Sequence, residues 1–404
     1  MSHINKRVPK RRFMEFNNAV AWEQRKLGEI ANSFEYGLNA SSKTYDGENK
    51  YIRITDIDES SHVFNQDNLT SPDISLDNLN HYLLEEGDIL LARTGASTGK
   101  SYCYNKIDGK VFFAGFLIRA KIKHEYNVSF IFQSTLTERY NNFIQVTSQR
   151  SGQPGINAQE YARFALYIPK LKEQQKIGDF FKQLDNTIAL HQRKLEKIKA
   201  LKTAYLSEMF PAEGETKPKR RFGGFTDDWE QRKFIEIINR LSKTSNSSIL
   251  PKVEYEDIIA EEGRLNKDIS NKFDSRKGIL FQPKNILYGK LRPYLKNWLY
   301  PDFKGVAVGD FWVFEAIEAT PRFIYNLIQS DSYQKVANDT AGTKMPRSDW
   351  TKVSNSSFFI PKESSEQKRI GTFFKQLDDT IALHQRKLQK LQNIKKAYLN
   401  EMFI

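Results

Sequence analysis

Two stretches of the chain carry apolar or long side chains at alternating spacings of four and three residues. The first series runs from Ile177 to Met209, and the second runs from Ile370 to Met402. Such a spacing places one stripe of side chains along one face of a helix, as in a coiled coil. The pattern therefore predicts two long helices, each about 55 Å in length at a rise of about 1.5 Å per residue.

The same two stretches are copies of one another. Segments 173–210 and 366–403 are identical at about 27 of 38 aligned positions, which identifies an internal repeat. A shorter pair of motifs stands near the start of each half, WEQRKLGEI from Trp22 and WEQRKFIEI from Trp229. The chain is therefore a domain followed by a helix, repeated once.

Each heptad stripe needs an apolar partner, and the other copy is the simplest one. We expect the helices to pair as an antiparallel coiled coil, which makes the chain a pseudo-two-fold repeat. The alternative is two separate helices that each pack on their own domain. The residues predicted to form the coiled-coil interface are Phe181, Leu184, Ile188, His191, Leu195, Ile198, Phe374, Leu377, Ile381, His384, Leu388 and Leu391.

The segments between these motifs contain short apolar runs bounded by turn residues, such as GDILLAR and VFFAGFLIRAKI. These runs predict strands, and stretches such as VSFIFQSTLTERYNNFIQ predict short helices. The predicted fold class is α+β, with two mixed α/β domains separated by the two long helices. The predicted boundaries are 1–172 for the first domain, 173–210 for the first helix, 211–226 for a linker, 227–365 for the second domain and 366–404 for the second helix.

Composition narrows the classes of partner. The formal net charge of +13 at pH 7 favours a polyanionic partner, and nucleic acid is the first candidate. The single cysteine cannot form an internal disulfide, which fits a reducing cytoplasm. The histidines show no metal-binding spacing, and no run approaches the roughly 18 apolar residues of a membrane span, so we expect neither a metal nor a membrane partner.

The run ARTGASTGKS, residues 92–101, ends like a phosphate-binding loop. Such a loop needs four residues between its first Gly and the Gly-Lys pair, and it opens a helix. Here Gly95 is one residue too close to Gly99, and the residues that follow alternate as in a strand. A diverged nucleotide hydrolase that uses Lys100 stays open as an alternative.

We interpret this run as a polar loop between strands, because small hydroxyls and cations suit contacts to phosphates and base edges. A basic loop stands at the matching place in the second half, and a second loop precedes the last strand of each domain. The candidate DNA-binding residues are Arg93, Thr94, Ser97, Lys100, Arg150, Ser151, Gln153 and Asn157 in the first half, and Lys290, Arg292, Tyr294, Lys296, Thr343, Lys344, Arg347 and Ser348 in the second.

No motif indicates a catalytic centre. We find no glycine-rich cofactor fingerprint, no Asn-Pro-Pro-Tyr-like methyltransferase motif and no nuclease spacing of carboxylates with lysine. The sequence favours a DNA-binding protein without catalytic, metal-binding or cofactor-binding residues. A coiled-coil scaffold whose basic charge is incidental, and an RNA-binding protein, are the other hypotheses.

Taken together, these motifs resemble the specificity subunits of type I restriction-modification enzymes. The resemblance covers nearly the full length and is carried by GDILLARTGASTGK, SGQPGIN, NILYGKLRPYL, GTKMPRSDW, the two WEQRK starts and the two LHQRKL helices. It implies that each domain is a target-recognition domain that reads one half of a bipartite site in double-stranded DNA. It also implies that the paired helices set the length of the unread gap.

The resemblance further implies protein partners. Two modification subunits, which carry S-adenosylmethionine and methylate adenine, would dock on the helices. Restriction subunits would add ATP- and Mg-dependent translocation and cleavage, and this chain would bind no cofactor itself. The family has no catalytic residue to carry over and its DNA contacts vary with the target, so the residues given above rest on loop position.

Overall fold

The structure is a computed structural model that describes residues 7–340 and 344–404 of the 404-residue chain. It divides into two compact units. Unit 1 comprises the chain up to Gln192 together with Arg386–Ile404, and unit 2 comprises Arg193–Gln385. Each long helix therefore contributes one half to each unit.

Unit 1 is built on a four-stranded antiparallel sheet with the strand order β2-β9-β6-β7, accompanied by the strand pairs β1-β10, β3-β5 and β4-β8. Its strands are β1 Glu23–Lys26, β2 Ala31–Tyr36, β3 Ser42–Thr44, β4 Lys50–Ile52, β5 Thr70–Pro72, β6 Ile89–Ala92, β7 Ser101–Cys103, β8 Val111–Phe113, β9 Leu117–Ile122 and β10 Ala165–Ile168. Its short helices are α1 Leu27–Ile30, α2 Val128–Ser134, α3 Glu138–Thr147 and α4 Ala158–Ala162.

Strand β6 shows why the GDILLAR run is apolar without interruption. Ile89 and Leu91 pack in the main core of unit 1, whereas Leu90 and Ala92 pack in a second apolar cluster on the other side. Successive side chains of a strand point to opposite faces, so a strand with a core on both sides has no polar positions.

Capping side chains divide the segment between β9 and β10 into separate helices. The Asn127 side chain accepts the amide of Phe130 at the start of α2, and the Thr137 hydroxyl accepts the amide of Tyr140 at the start of α3. Residues of this kind satisfy backbone amides that a new helix leaves unpaired.

Unit 2 has the same central sheet, with the order β12-β21-β18-β19, together with a four-stranded sheet β13-β17-β20-β14 and the strand pairs β11-β22 and β15-β16. Its strands are β11 Glu230–Lys233, β12 Ile238–Leu241, β13 Thr244–Ser245, β14 Lys252–Val253, β15 Ile258–Ile259, β16 Arg264–Leu265, β17 Gly278–Phe281, β18 Ile286–Gly289, β19 Trp298–Leu299, β20 Gly305–Ala307, β21 Phe311–Ala316 and β22 Ser357–Ile360. Its short helices are α6 Phe234–Ile237, α7 Pro321–Leu327, α8 Asp331–Ala337 and α9 Trp350–Asn355.

The repeated motifs at the two ends of each domain pair with one another. Strand β1, from WEQRK, runs antiparallel to β10, with Glu23 opposite Ile168. Strand β11 pairs with β22 in the same way, with Glu230 opposite Ile360. The mixed α+β fold and the internal repeat predicted from the sequence are confirmed, because both domains share this ribbon and the order of the central sheet.

The two long helices run antiparallel. They are α5, Leu171–Glu208, and α10, Ser364–Met402. In unit 1 the Asp185 carboxylate lies 2.7 Å from the Lys395 ammonium, and Phe181, four residues earlier in α5, contacts Phe403, beyond the end of α10.

In unit 2 the order of contacts is the same. Lys202 pairs with Asp378 at 2.7 Å, and Tyr205, three residues later, lies against Phe373, five residues earlier. The prediction of an antiparallel coiled coil is confirmed. Every residue predicted for its interface is buried or half-buried, including the half-buried His191 and His384.

The end of each long helix enters the aromatic core of one unit. In unit 1 the Phe403 ring lies 6.3 Å from that of Trp22 and 5.0 Å from that of Phe130. In unit 2 Phe210 takes the same place, 6.3 Å from Trp229. Each domain is therefore completed by the last phenylalanine of the helix that follows the other domain, and burial of such a ring contributes about 1.5–3 kcal/mol.

Candidate nucleic-acid interface

In unit 1 the two loops predicted to contact DNA lie side by side. They are residues 93–100, between β6 and β7, and residues 150–157, before α4. Thr94 forms an antiparallel bridge with Gly155, and the amide of Gly95 donates to the carbonyl of Pro154 at 2.9 Å. Segments that are distant in the sequence therefore form one polar surface.

The two arginines of this surface differ in their partners. Arg150 donates to both carboxylate oxygens of Glu160 at 2.6 Å, so its charge is already compensated. Arg93 lies with its guanidinium 4.9 Å from the centre of the Tyr36 ring, and no carboxylate of residues 7–340 and 344–404 pairs with it. Of the two, Arg93 is better placed to bind a phosphate or a guanine edge.

The remaining polar candidates of unit 1 divide in a similar way. The Asn157 side chain caps helix α4 by accepting an amide of its first turn, so it has a structural role. The side chains of Thr94 and Ser97 are half-buried, whereas Ser151 and Gln153 are exposed. Ser151 and Gln153 are therefore the members of this set that are most accessible to a ligand.

The Gly-Lys-Ser sequence does not form a phosphate-binding loop. Strand β7, not a helix, begins at Ser101, directly after Lys100. The Ser101 hydroxyl is buried and lies 2.7 Å from the Thr135 hydroxyl, and the Lys100 ammonium donates to the carbonyl of Ile57 at 3.1 Å. The helix N-terminus and the free hydroxyl that such a loop offers to phosphate and metal are therefore replaced by core contacts.

The two predicted loops of unit 2 also meet. They are residues 290–296, after β18, and the described residues 344–348 of the second loop, before α9. Leu291 forms an antiparallel bridge with Arg347, and the amide of Arg292 donates to the carbonyl of Pro346 at 2.7 Å. The arrangement repeats that of unit 1, although the loop sequences differ.

Three cations of the unit 2 surface are paired with carboxylates. Lys290 and Arg347 both lie near Asp310, at 3.5 and 3.1 Å, and Lys296 lies 3.0 Å from Glu261. These pairs are partly exposed, so each is worth little on its own. Each pair nevertheless compensates the charge of its cation within the unit, so these three cations are less available to a ligand.

Arg292, Tyr294 and Lys344 are exposed, and neither of the two cations pairs with a carboxylate in the part of the chain that the structure describes. Ser348 is buried, and its hydroxyl donates to a backbone carbonyl at the end of α8, so its side chain does not reach the surface. Thr343 lies outside the described residues.

The turn that carries Arg292 and Tyr294 has an unusual backbone. Arg292 and Lys296 flank a single turn of 3-10 helix and have positive φ values of 49° and 54°. Left-handed backbone is uncommon for residues other than Gly, Asn and Asp, and it is often found at functional sites. Here it projects the Arg292 and Tyr294 side chains from a tightly closed loop.

Two surface residues of unit 1 were not predicted. Tyr36 lies beneath the Arg93 guanidinium, and the Phe116 ring, in the turn between β8 and β9, is 63% exposed. The apolar stretch VFFAGFLIRAKI predicts strands and gives no reason to single out Phe116. The one sequence signal for an exposed turn here is Gly115, because a glycine inside a strand pattern often marks a bend or the end of a strand.

Within residues 7–340 and 344–404, no group of three or more His, Cys, Asp and Glu side chains is arranged to hold a metal ion. None of the helices described by the structure combines the length and apolar character needed to cross a membrane.

The sequence matches the family model described as the type I restriction modification DNA specificity domain twice, over residues 19–200 and 226–393. The chain belongs to the type I restriction-modification specificity family. The two matched specificity domains follow the internal repeat, and each contains one pair of polar loops and most of one long helix.

Two members of the type I restriction-modification systems are similar to most or all of this chain. The type I restriction enzyme MjaVIII specificity subunit of Methanocaldococcus jannaschii is 21% identical over 345 residues, which span 79% of this chain and 78% of the relative. The type I restriction-modification S subunit from M. genitalium superimposes with a TM-score of 0.65 at 13% identity, covering 98% of this chain and 99% of that one.

A further match comes from a structure that describes the structural basis of complex assembly and conformational transition in the type I R-M system. One of its chains gives a TM-score of 0.50 at 12% identity. That match covers 94% of this chain and 97% of the other. At these identities the structural matches show the fold alone, and they agree with the specificity family found by the sequence model.

Proposed function

We propose that this chain is the DNA-reading subunit of a type I restriction-modification complex and performs no chemistry itself. Each unit reads one half of a bipartite site through its pair of loops. The observation that carries the proposal is the same loop pairing in both units, with Arg93 in one and Arg292 in the other lacking a carboxylate partner among the described residues. Two loop pairs of different sequence suit two different half-sites.

The net charge of +13 supports a phosphate-binding component that weakens as salt increases. Loop cations that have no carboxylate partner among residues 7–340 and 344–404, together with exposed polar residues of the loops, then supply the selective contacts. Arg292 suits the N7 and O6 acceptors of guanine, and Gln153 suits adenine. Because base edges are read in the grooves, both loop pairs must face the duplex.

The paired helices support the second part of the proposal, which is that they fix the separation of the half-sites and dock partner subunits. Leu190 and Leu383 occupy equivalent positions of α5 and α10 and are 51% and 43% exposed. An apolar side chain exposed at the same place in both copies suits two identical partners, one on each unit.

The expected partners are two modification subunits that carry S-adenosylmethionine and methylate adenine, and restriction subunits that use ATP and Mg for translocation and cleavage. The complex is expected to act on DNA in the cytoplasm. A target adenine has to leave the base stack before methylation, and the modification subunits would supply the pocket for it. This chain determines at which site on the DNA the adenine is methylated.

The test is methylome sequencing of cells that express this chain with its cognate modification subunit. The expected result is one new bipartite motif with methyl-adenine on both strands. Exchange of residues 20–172 for those of a related chain should change one half of the motif and leave the other half and the gap unchanged.

Assembly of the complex without any methylated motif would contradict the proposal and favour the scaffold hypothesis. Binding of labelled ATP to the isolated chain would instead support the nucleotide hydrolase, which the strand after Lys100 disfavours. Size-exclusion chromatography of the complex provides the control for assembly.

A further inference from the structure

We infer that Phe116 is a base-contacting residue of unit 1. Its ring packs against the methyl group of a thymine in the half-site that this unit reads. The inference rests on the proposed DNA-reading function and adds a specificity residue to it. Phe116 is 63% exposed, whereas Ala114 and Leu117 on either side of its turn are 6% and 0% exposed.

The turn that carries Phe116 is fixed by backbone hydrogen bonds to two neighbouring segments. The amide of Gly115 donates to the carbonyl of Leu38 at 2.8 Å, and the carbonyl of Phe116 accepts the amide of Arg93 at 3.0 Å. The ring is therefore presented from a constrained backbone, which limits the entropy lost when a ligand binds.

Close packing behind the turn reinforces this constraint. A Cβ atom at Gly37 would come within 2.2 Å of the Ala114 carbonyl oxygen, so the two segments approach as closely as backbones allow. The turn cannot withdraw to bury Phe116 without disturbing this contact.

The surroundings of Phe116 favour DNA over a purely apolar partner. Arg93 lies beside it, donates to the Gly115 carbonyl at 3.4 Å and stacks over Tyr36, whose ring is 44% exposed. The polar loops 93–100 and 150–157 continue this surface. An exposed aromatic residue whose turn is hydrogen-bonded to Arg93, an arginine without a carboxylate partner among the described residues, combines a contact for the thymine methyl with one for guanine or phosphate.

The experiment uses the full chain assembled with its modification subunit and compares Phe116→Ser, Phe116→Leu and Ile107→Ser. Ile107 is the matched control, because it is 77% exposed in the same unit and lies on a separate single-turn helix. Methylome sequencing first defines the wild-type motif. Binding is then measured on that site and on a copy in which uracil replaces the thymine of the half-site that responds to exchange of residues 20–172.

We expect Phe116→Ser to relax the motif at a thymine of the half that also responds to exchange of residues 20–172. Replacement of that thymine by uracil should weaken wild-type binding about tenfold and leave the Phe116→Ser complex unaffected. Phe116→Leu should keep most of the preference, and Ile107→Ser should keep the full motif.

An unchanged motif in Phe116→Ser, or equal wild-type binding to thymine and uracil, would overturn the inference while the wild-type motif upholds the proposed function. Failure of Phe116→Ser to assemble, with a normal thermal unfolding curve for the chain, would also overturn it, because Phe116 would then contact a protein. Absence of any wild-type motif would refute both.

Discussion

The Lys395 ammonium lies 2.7 Å from the Asp185 carboxylate, across the two long helices of unit 1. The equivalent pair of the repeat, Lys202 and Asp378, has the same separation in unit 2. In unit 1 the side-chain amide of Gln133, from α2, also donates to the Asp185 carboxylate at 2.7 Å. This contact joins the sheet domain to both helices. Each unit thus sets the register of the helix pair with a polar contact inside an apolar seam.

We expect Lys395→Met to destabilise unit 1 by about 2 kcal/mol, because Asp185, whose side chain is 31% exposed, would lose its countercharge in a partly buried position. The double variant Lys395→Met with Asp185→Asn should recover most of that loss, since Asn keeps the acceptor for Gln133 without a charge. Urea unfolding of the full chain measures both. Equal losses in the single and double variants would show that the charge pair does not determine the stability.

Arginines for which the described part of the chain offers no carboxylate partner should matter more for DNA binding than those held in ion pairs. Arg93→Ala and Arg292→Ala should each weaken specific binding by the assembled complex about tenfold. Arg150→Ala and Arg347→Ala, which break ion pairs at the surface, should change it less than about fivefold. Binding titrations at several salt concentrations provide the measurement, and unchanged affinity in both of the first two variants would refute the loop assignment.

The sequence is sufficient to predict the helices and their pairing, because a heptad stripe repeated in two copies has an obvious partner. It also places the candidate loops, since they lie between recognisable strands. It does not reveal that Arg150 is neutralised by Glu160 or that Asn157 caps a helix, because these depend on how the loop closes. The sequence does not single out Phe116, because a turn within an apolar run exposes a residue whose type predicts burial.

His62 provides a test of stability against pH. Its Nδ1 lies 2.9 Å from the Ser101 carbonyl oxygen, and burial lowers the pKa of His62 below its ordinary value of 6.5. The nearby Lys100 and Lys395 lower it further, while the Ser101 contact and Asp185 oppose the shift. The unfolded chain therefore binds this proton more readily than the folded chain does, and acidification below pH 6.5 favours unfolding.

We expect the free energy of unfolding of the wild type to fall as the pH decreases through 6.5, with a smaller fall in His62→Asn. Asn is the control of choice because it tolerates the positive φ of 57° at this position. Urea unfolding between pH 7.5 and pH 5.5 gives the comparison. Parallel pH profiles for the two proteins would show that His62 does not titrate differently in the folded state.

The role of the helices as a spacer is tested by lengthening both at once. Seven residues inserted after Gln192 and seven after Gln385 preserve the heptad stripe and add about 10.5 Å of helix, the rise of about three base pairs. If the helix pair sets the gap, methylome sequencing should recover the original half-sites with a gap longer by about three base pairs. Insertion into α5 alone is the control, because it shifts the two stripes out of register and should abolish the methylated motif. Recovery of the original gap with both helices lengthened would contradict the proposed spacer role.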